Sequence, residues 1–119
     1  MGRIRNDDFF SRHAALCELR QGLVDLKRAD PPLDVTTSPE WPRLAALCDA
    51  WPSGVAFKTL EDELDAYVCA YIGAYHLAWA GTRSLTVGDG RSGYIVTPVT
   101  PRHDTLIRDR ARATGVTVV

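Results

Sequence analysis

The stretch from Thr59 to Gly81 is the longest in the chain with a single repeating period, and it limits what the rest can fold into. Leu60, Leu64, Tyr67 or Val68, Tyr71 and Tyr75 recur every three or four residues, which stacks them on one side of an α-helix. Thr59 is the expected N-cap, with Asp62 three residues on as an approximate capping box. Gly81 is the expected residue just past the C-terminus. Glu61, Asp62 and Glu63 fall in the first turns of this helix, where its dipole favours acids. Asp65 comes later, and from there to Leu77 no charged residue occurs. The pattern predicts a helix that enters solvent at its start and is mostly covered afterwards. Asp65 sits at the boundary, where a working carboxylate belongs.

At 119 residues the chain has the length of one domain, 1–119. It is 45% hydrophobic and 24% charged with a net charge of -1, the balance of a soluble globular protein and not of a disordered one. Without global basicity, any nucleic-acid contact has to come from local patches. No apolar run approaches the roughly 18 residues that cross a bilayer, and the first eight residues lack the apolar core of a signal peptide. A cytoplasmic location with no membrane partner is expected. Cys17, Cys48 and Cys69 are odd in number, widely spaced and each set in an apolar helical pattern. Buried free thiols account for them better than a zinc site, which takes closer pairs.

Residues 1–8 read as frayed or extended. Phe9, Phe10, Ala14, Leu16, Cys17, Leu19, Leu23 and Val24 then follow at mostly helical spacing and predict a first helix over 9–24, capped by Asp8 or Ser11. Arg12, Arg20, Lys27 and Arg28 read as its solvated basic face. Pro31 and Pro32 make residues 30–38 a connector. Ser38-Pro39-Glu40 opens a second helix, with Ser38 as cap and Pro39 at the first helical position. Trp41, Leu44, Ala45, Leu47, Cys48 and Trp51 line one side of it, and Pro52-Ser53-Gly54 ends it. After Gly81 the character changes. Ser84–Val87 and Gly93–Thr97 are β-rich and flank a glycine-rich turn, predicting a hairpin or two edge segments. Residues 99–119 read as a flexible tail or a short helix. The fold class expected is α+β and mainly helical, with three helices plus a short β-hairpin or two edge segments.

Glu61, Asp62, Glu63 and Asp65 are the only concentration of side chains suited to chemistry. Glu61 and Asp65 are four apart, and Asp62 and Asp65 three apart, so either pair shares a helix face. Carboxylates held together repel unless a cation lies between them, and hard divalent ions take oxygen ligands. An acidic first turn explains Glu61, Asp62 and Glu63 equally well; it explains Asp65 poorly. His13, His76 and His103 share no ligand spacing and read as packing or surface histidines. The run Gly88-Asp89-Gly90-Arg91-Ser92-Gly93 has neither the lysine nor the length of a phosphate-binding loop and reads as a tight turn. Arginines at both ends, Arg3, Arg5 and Arg12 with Arg102, Arg108, Arg110 and Arg112, carry a weak signal for phosphate contact.

Two segments together resemble a known family. Asp62-Glu63-Leu64-Asp65-Ala66-Tyr67-Val68-Cys69-Ala70 is similar to an Asp-x-Leu-Asp-Ala-x-x-Cys-Ala helix. Gly88-Asp89-Gly90-Arg91-Ser92-Gly93-Tyr94-Ile95-Val96-Thr97-Pro98 is similar to the Gly-Asp-x-x-x-Gly-Tyr-Ile-Val-x-Pro segment that follows it. Both belong to the C-terminal part of a bacterial and archaeal family of predicted RNase H-like nucleases. The resemblance covers about residues 59–98 and implies the C-terminal portion of a ribonuclease H-like α/β fold. It further implies metal-dependent phosphodiester hydrolysis with Mg²⁺ or Mn²⁺, in which Asp65 ligates metal and Asp62 ligates or orients water. Family members open on a strand bearing the principal catalytic Asp, and that strand has no counterpart here. The expectation is a truncated homologue or C-terminal fragment, inactive alone. The alternative is a small helical interaction protein that pairs with a partner, or with itself, through the apolar face of helix 59–80.

Overall fold

Among the described residues, prolines and glycines delimit four helices and one hairpin. The computed structural model describes residues 2–119, with side chains from Asp8 onward. Helix α1 spans Gly2–Asp25, α2 Trp41–Asp49, α3 Gly54–Ala78 and α4 Pro101–Thr114; strands β1 (Ser84–Asp89) and β2 (Gly93–Pro98) lie between α3 and α4. The architecture is mainly helical with a small antiparallel sheet. The helix at 101–114 is the helical alternative for residues 99–119, where the other was a flexible tail, and it adds a fourth to the three helices expected. Two compact units divide the chain, Met1–Cys69 and Ala70–Val119.

Three helix starts differ from the sequence expectation. The backbone is helical from Gly2, not frayed or extended to residue 8, so Asp8 and Ser11 lie inside α1 instead of capping it. No proline or further glycine interrupts residues 3–21, so nothing stops the helix from running back. Helix α2 starts at Trp41 with Pro42 in its first turn, and the Leu44 amide donates to the Glu40 carbonyl. Ser38 therefore does not cap it, and its hydroxyl lies 2.6 Å from that of Tyr67. Helix α3 begins at Gly54, which puts Thr59 in the second turn and Glu61–Asp65 beyond the reach of the N-terminal dipole. Its end is as expected: the Gly81 amide donates to the His76 carbonyl at 2.9 Å, and Gly81 has a φ of 75°.

In the first unit, three helical stripes converge on one core. Leu16 and Leu23 come from α1, Trp41, Leu44 and Cys48 from α2, and Phe57, Leu60 and Leu64 from α3, with Val35 filling the connector side. Spacings of three, four and seven residues keep each set on one face. The connector contains two 3₁₀ turns, Leu26–Arg28 and Val35–Thr37, the second capped by Asp34 accepting from the Thr36 amide. Arg20 on α1 donates to the Ala45 carbonyl at 2.9 Å and to Asp49 at 2.8 Å.

In the second unit, β1 and β2 pair from Ser84↔Pro98 to Asp89↔Gly93. The chain end returns along the other side of β1: Thr86 exchanges both backbone hydrogen bonds with Val119, and the Gly88 amide donates to the Thr117 carbonyl. Leu85 and Ala111 are the buried apolar residues of this unit. Thr100 caps α4 by accepting from the His103 amide, and Gly115 ends it with a left-handed φ of 77°.

Candidate functional site

The acids of α3 are exposed or half-buried, and most of them already have cations. Lys58, one turn earlier, places its Nζ 2.9 Å from Asp62 and 3.4 Å from Glu61. Arg43 on α2 holds Glu63 at 2.8 Å and Glu40 at 2.9 Å. These contacts raise the Lys58 ammonium, chiefly through Asp62, and the Arg43 guanidinium, chiefly through Glu63. The cations that relieve the repulsion among Glu61, Asp62 and Glu63 are thus the protein's own. The spacing of Lys58 to Glu61 and Asp62 was readable from the sequence as helix neighbours; the approach of Arg43 to Glu63, 20 residues away, was not.

Asp65 differs from the other three. It is exposed, and the Cys69 Sγ lies 4.0 Å from its Oδ2. Among the described residues no group of three or more His, Cys, Asp or Glu side chains is placed to hold a metal ion. A two-metal centre normally takes three or four carboxylates from separate elements, so Asp62 and Asp65 do not by themselves fit one.

The burial of α3 reverses the expected order. Its buried residues, Phe57, Leu60 and Leu64, are all in the acid-bearing first half. In the uncharged second half, Ala70, Gly73, Ala74 and Leu77 are exposed, and Leu77 is 80% accessible. Their spacing of i, i+3, i+4 and i+7 puts them on one side. A Cβ built on Gly73 meets nothing within 4 Å. Charge marks where one side chain is solvated; it does not say which half of a helix has a packing partner. The acids flank a buried stripe, while the uncharged half has an open face.

The remaining candidates resolve into structure. His13 is buried and stacks on Trp51, and its Nε2 lies 2.8 Å from the Pro52 carbonyl. His76 Nδ1 is hydrogen-bonded to the Ser84 hydroxyl, a pair the sequence reading missed. Ser84 is itself buried, so this contact ties α3 to β1 and does not expose a nucleophile. His103 bonds Thr100 at the start of α4. The glycine-rich run is the hairpin turn: Asp89 Oδ1 accepts from the amides of Ser92 and Arg91, which hold its carboxyl below the usual range. Gly88 has a φ of 108°, and a Cβ there would meet the Gly93 carbonyl oxygen at 2.3 Å. Of the cysteines, only Cys48 is buried; Cys17 is intermediate and Cys69 exposed, against the expectation of three buried thiols.

The arginines at the C-terminal end are partly spent within α4, where Arg108 pairs with Asp104 and Arg112 with Asp109. Arg12 lies over the Phe57 ring, 4.6 Å from its centroid. Arg3 and Arg5 fall outside the described side chains. An open cleft of about 700 Å³ in the second unit is lined by Tyr75, Thr82, Arg83, Thr100 and Asp104 among others. Arg83 also lies over the Trp79 ring at 3.6 Å, and the Thr100 hydroxyl on the cleft wall is bonded to His103 Nδ1 at 3.0 Å, where it caps α4. Among the described residues no helix is long and apolar enough to cross a membrane.

The class defined by these features is a small, mainly helical protein with one uncharged helix face left open. No protein-family model, curated protein or solved structure matches the chain.

Proposed function

We propose that this chain is an interaction protein that pairs with a partner helix through α3, not on the stripe of Leu60, Leu64, Tyr67, Tyr71 and Tyr75 but on the neighbouring open side at Ala70, Gly73, Ala74 and Leu77. The observation that carries this reading is the open face itself: small side chains at helical spacing, ending in a leucine that is 80% accessible. Alanine and glycine let a second backbone approach closely, and the leucine supplies apolar area for the partner to bury. With no charged residue between Asp65 and Leu77, docking there requires no ion to be desolvated. Val55, 84% accessible near the start of α3, adds exposed apolar surface to the first unit.

The test is a photo-reactive amino acid placed at Ala74 in the full chain in its host cell. A single discrete adduct that disappears in Leu77→Glu supports the reading. The absence of any adduct, or one that survives Leu77→Glu, refutes it.

One observation favours a second proposal, that Asp62 and Asp65 form one wall of a Mg²⁺- or Mn²⁺-dependent nuclease site completed by another chain. Asp65 has no basic partner among the described residues, as a ligand awaiting a cation would not. Cleavage of single-stranded DNA or RNA that needs Mg²⁺ or Mn²⁺ and is lost in Asp65→Asn would establish it. Cleavage unchanged in that variant would remove Asp65 from the mechanism.

A further inference from the structure

Strand β2 is the outer strand of its sheet. Thr86 directs both its amide and its carbonyl at Val119, on the side of β1 away from β2. Backbone groups alternate sides along an antiparallel strand, so Leu85 and Val87 direct theirs at β2. Their partners Thr97 and Ile95 are thereby occupied. Tyr94 and Val96 are consequently the residues whose amides and carbonyls turn to the open edge. Proteins commonly protect such an edge with charge, an internal proline or a bulge. From Gly93 to Thr97 this strand has none of these, and proline appears only at Pro98, its last residue. Tyr94 and Ile95 are 63% and 70% accessible.

We infer that β2 is a self-pairing edge whose occupant is β2 of a second copy of this chain, antiparallel about a two-fold axis at Ile95. Two features suit a second copy as the occupant. With Ile95 on the axis, Tyr94 of each copy lies opposite Val96 of the other, and these are the very residues with outward-facing groups. Each Tyr94–Val96 pair exchanges two backbone hydrogen bonds, so every outward group between Gly93 and Thr97 is satisfied. The strand also has no charge to meet its own image, and like charges opposite each other are what normally prevent this pairing. On one face the two Ile95 side chains meet across the axis; on the other, each Tyr94 packs beside a Val96, an aromatic–β-branched pair. The interface is isologous and closes, giving a dimer and not a fibre. This surface is separate from the open face of α3.

The test is sedimentation equilibrium of the full chain over a concentration series, with the Ile95→Lys and Ile95→Glu variants alone and mixed. Position 95 is exposed, so both variants keep the far-ultraviolet spectrum of the parent. The expected result is a mass that rises with concentration to twice the 13.1 kDa of one chain. Each variant alone should lose that doubling, because like charges then face each other across the axis, and the mixture should regain it. Leu77→Glu should leave the doubling intact; its loss there would place the dimer on α3 and overturn this inference while leaving the α3 reading standing. A single-chain mass up to about 1 mM, doubling that persists in both Ile95 variants, or a mixture that stays monomeric would each overturn it.

Discussion

The imidazole of His13 lies flat against the indole of Trp51, with centroids 4.7 Å apart and planes 16° from parallel. Phe9 and Phe57 close the other sides of the ring at 4.5 and 5.0 Å. Its Nε2 donates to the Pro52 carbonyl, the acceptor just before α3 begins. His13 thus joins α1 to the loop that ends α2. His13→Ala should cost about 2–4 kcal/mol, the loss of a buried ring together with a hydrogen bond. Urea unfolding measures it, and a loss below about 0.5 kcal/mol would show that the cluster relaxes around the gap.

Leu64 and Leu77 share one helix and should respond oppositely. Leu64 is fully buried, so Leu64→Ala should lower stability by about 2–5 kcal/mol. Leu77→Glu, on the open face, should change it by no more than about 0.5 kcal/mol while abolishing partner binding. Chemical denaturation and the cross-linking yield read the two effects separately.

Gly88→Ala should unfold or loosen the hairpin, because a methyl group there meets backbone that cannot swing away and the residue keeps a positive φ. Gly90→Ala is the matched control: its added carbon meets nothing within 4 Å. Amide exchange across β1 and β2 should quicken in the first variant and stay at the parent rate in the second.

Acid should weaken the hairpin turn through Asp89. The Ser92 and Arg91 amides hold its carboxyl below the ordinary range, so in acid the unfolded state binds the proton more readily than the folded one. Stability from this group is complete above the unfolded value of about 3.9 and declines as pH falls through the lower folded value. The Ser92 and Arg91 amide resonances should follow that titration, and Asp89→Asn should remove it. Resonances that titrate at the ordinary value would contradict the turn geometry.

Thiol labelling should proceed in the order Cys69, Cys17, Cys48. Cys69 is exposed, whereas burial pushes the Cys48 thiol up and shields it. Cys48 should react with a disulfide reagent only at the rate of unfolding, and labelling as fast as that of Cys69 would overturn its placement.

Local signals carried much of the fold. Periodicity placed α3, the apolar sides of α1 and α2, and both strands, while Gly81 and the Gly88–Gly93 turn were legible as chain punctuation. Starts were less so, because Thr59 and Ser38 look like caps to a local rule but are overridden by helical residues before Thr59 and by a bond from Ser38 to Tyr67. The spacing of Asp62 and Asp65 identified a pair of carboxylates on one helix, but it could not show that Lys58 already holds one of them. By itself, then, the sequence determined the central parts of α1, α2 and α3, both strands, and an apolar side for each of those three helices, since these follow from neighbours a few residues apart. Only the tertiary structure decided which apolar sides are covered, which acids are paired across elements, and that β2 has an open edge. Those depend on contacts between residues far apart in the chain, and a repeating pattern of side chains has the same form whether or not anything packs against it.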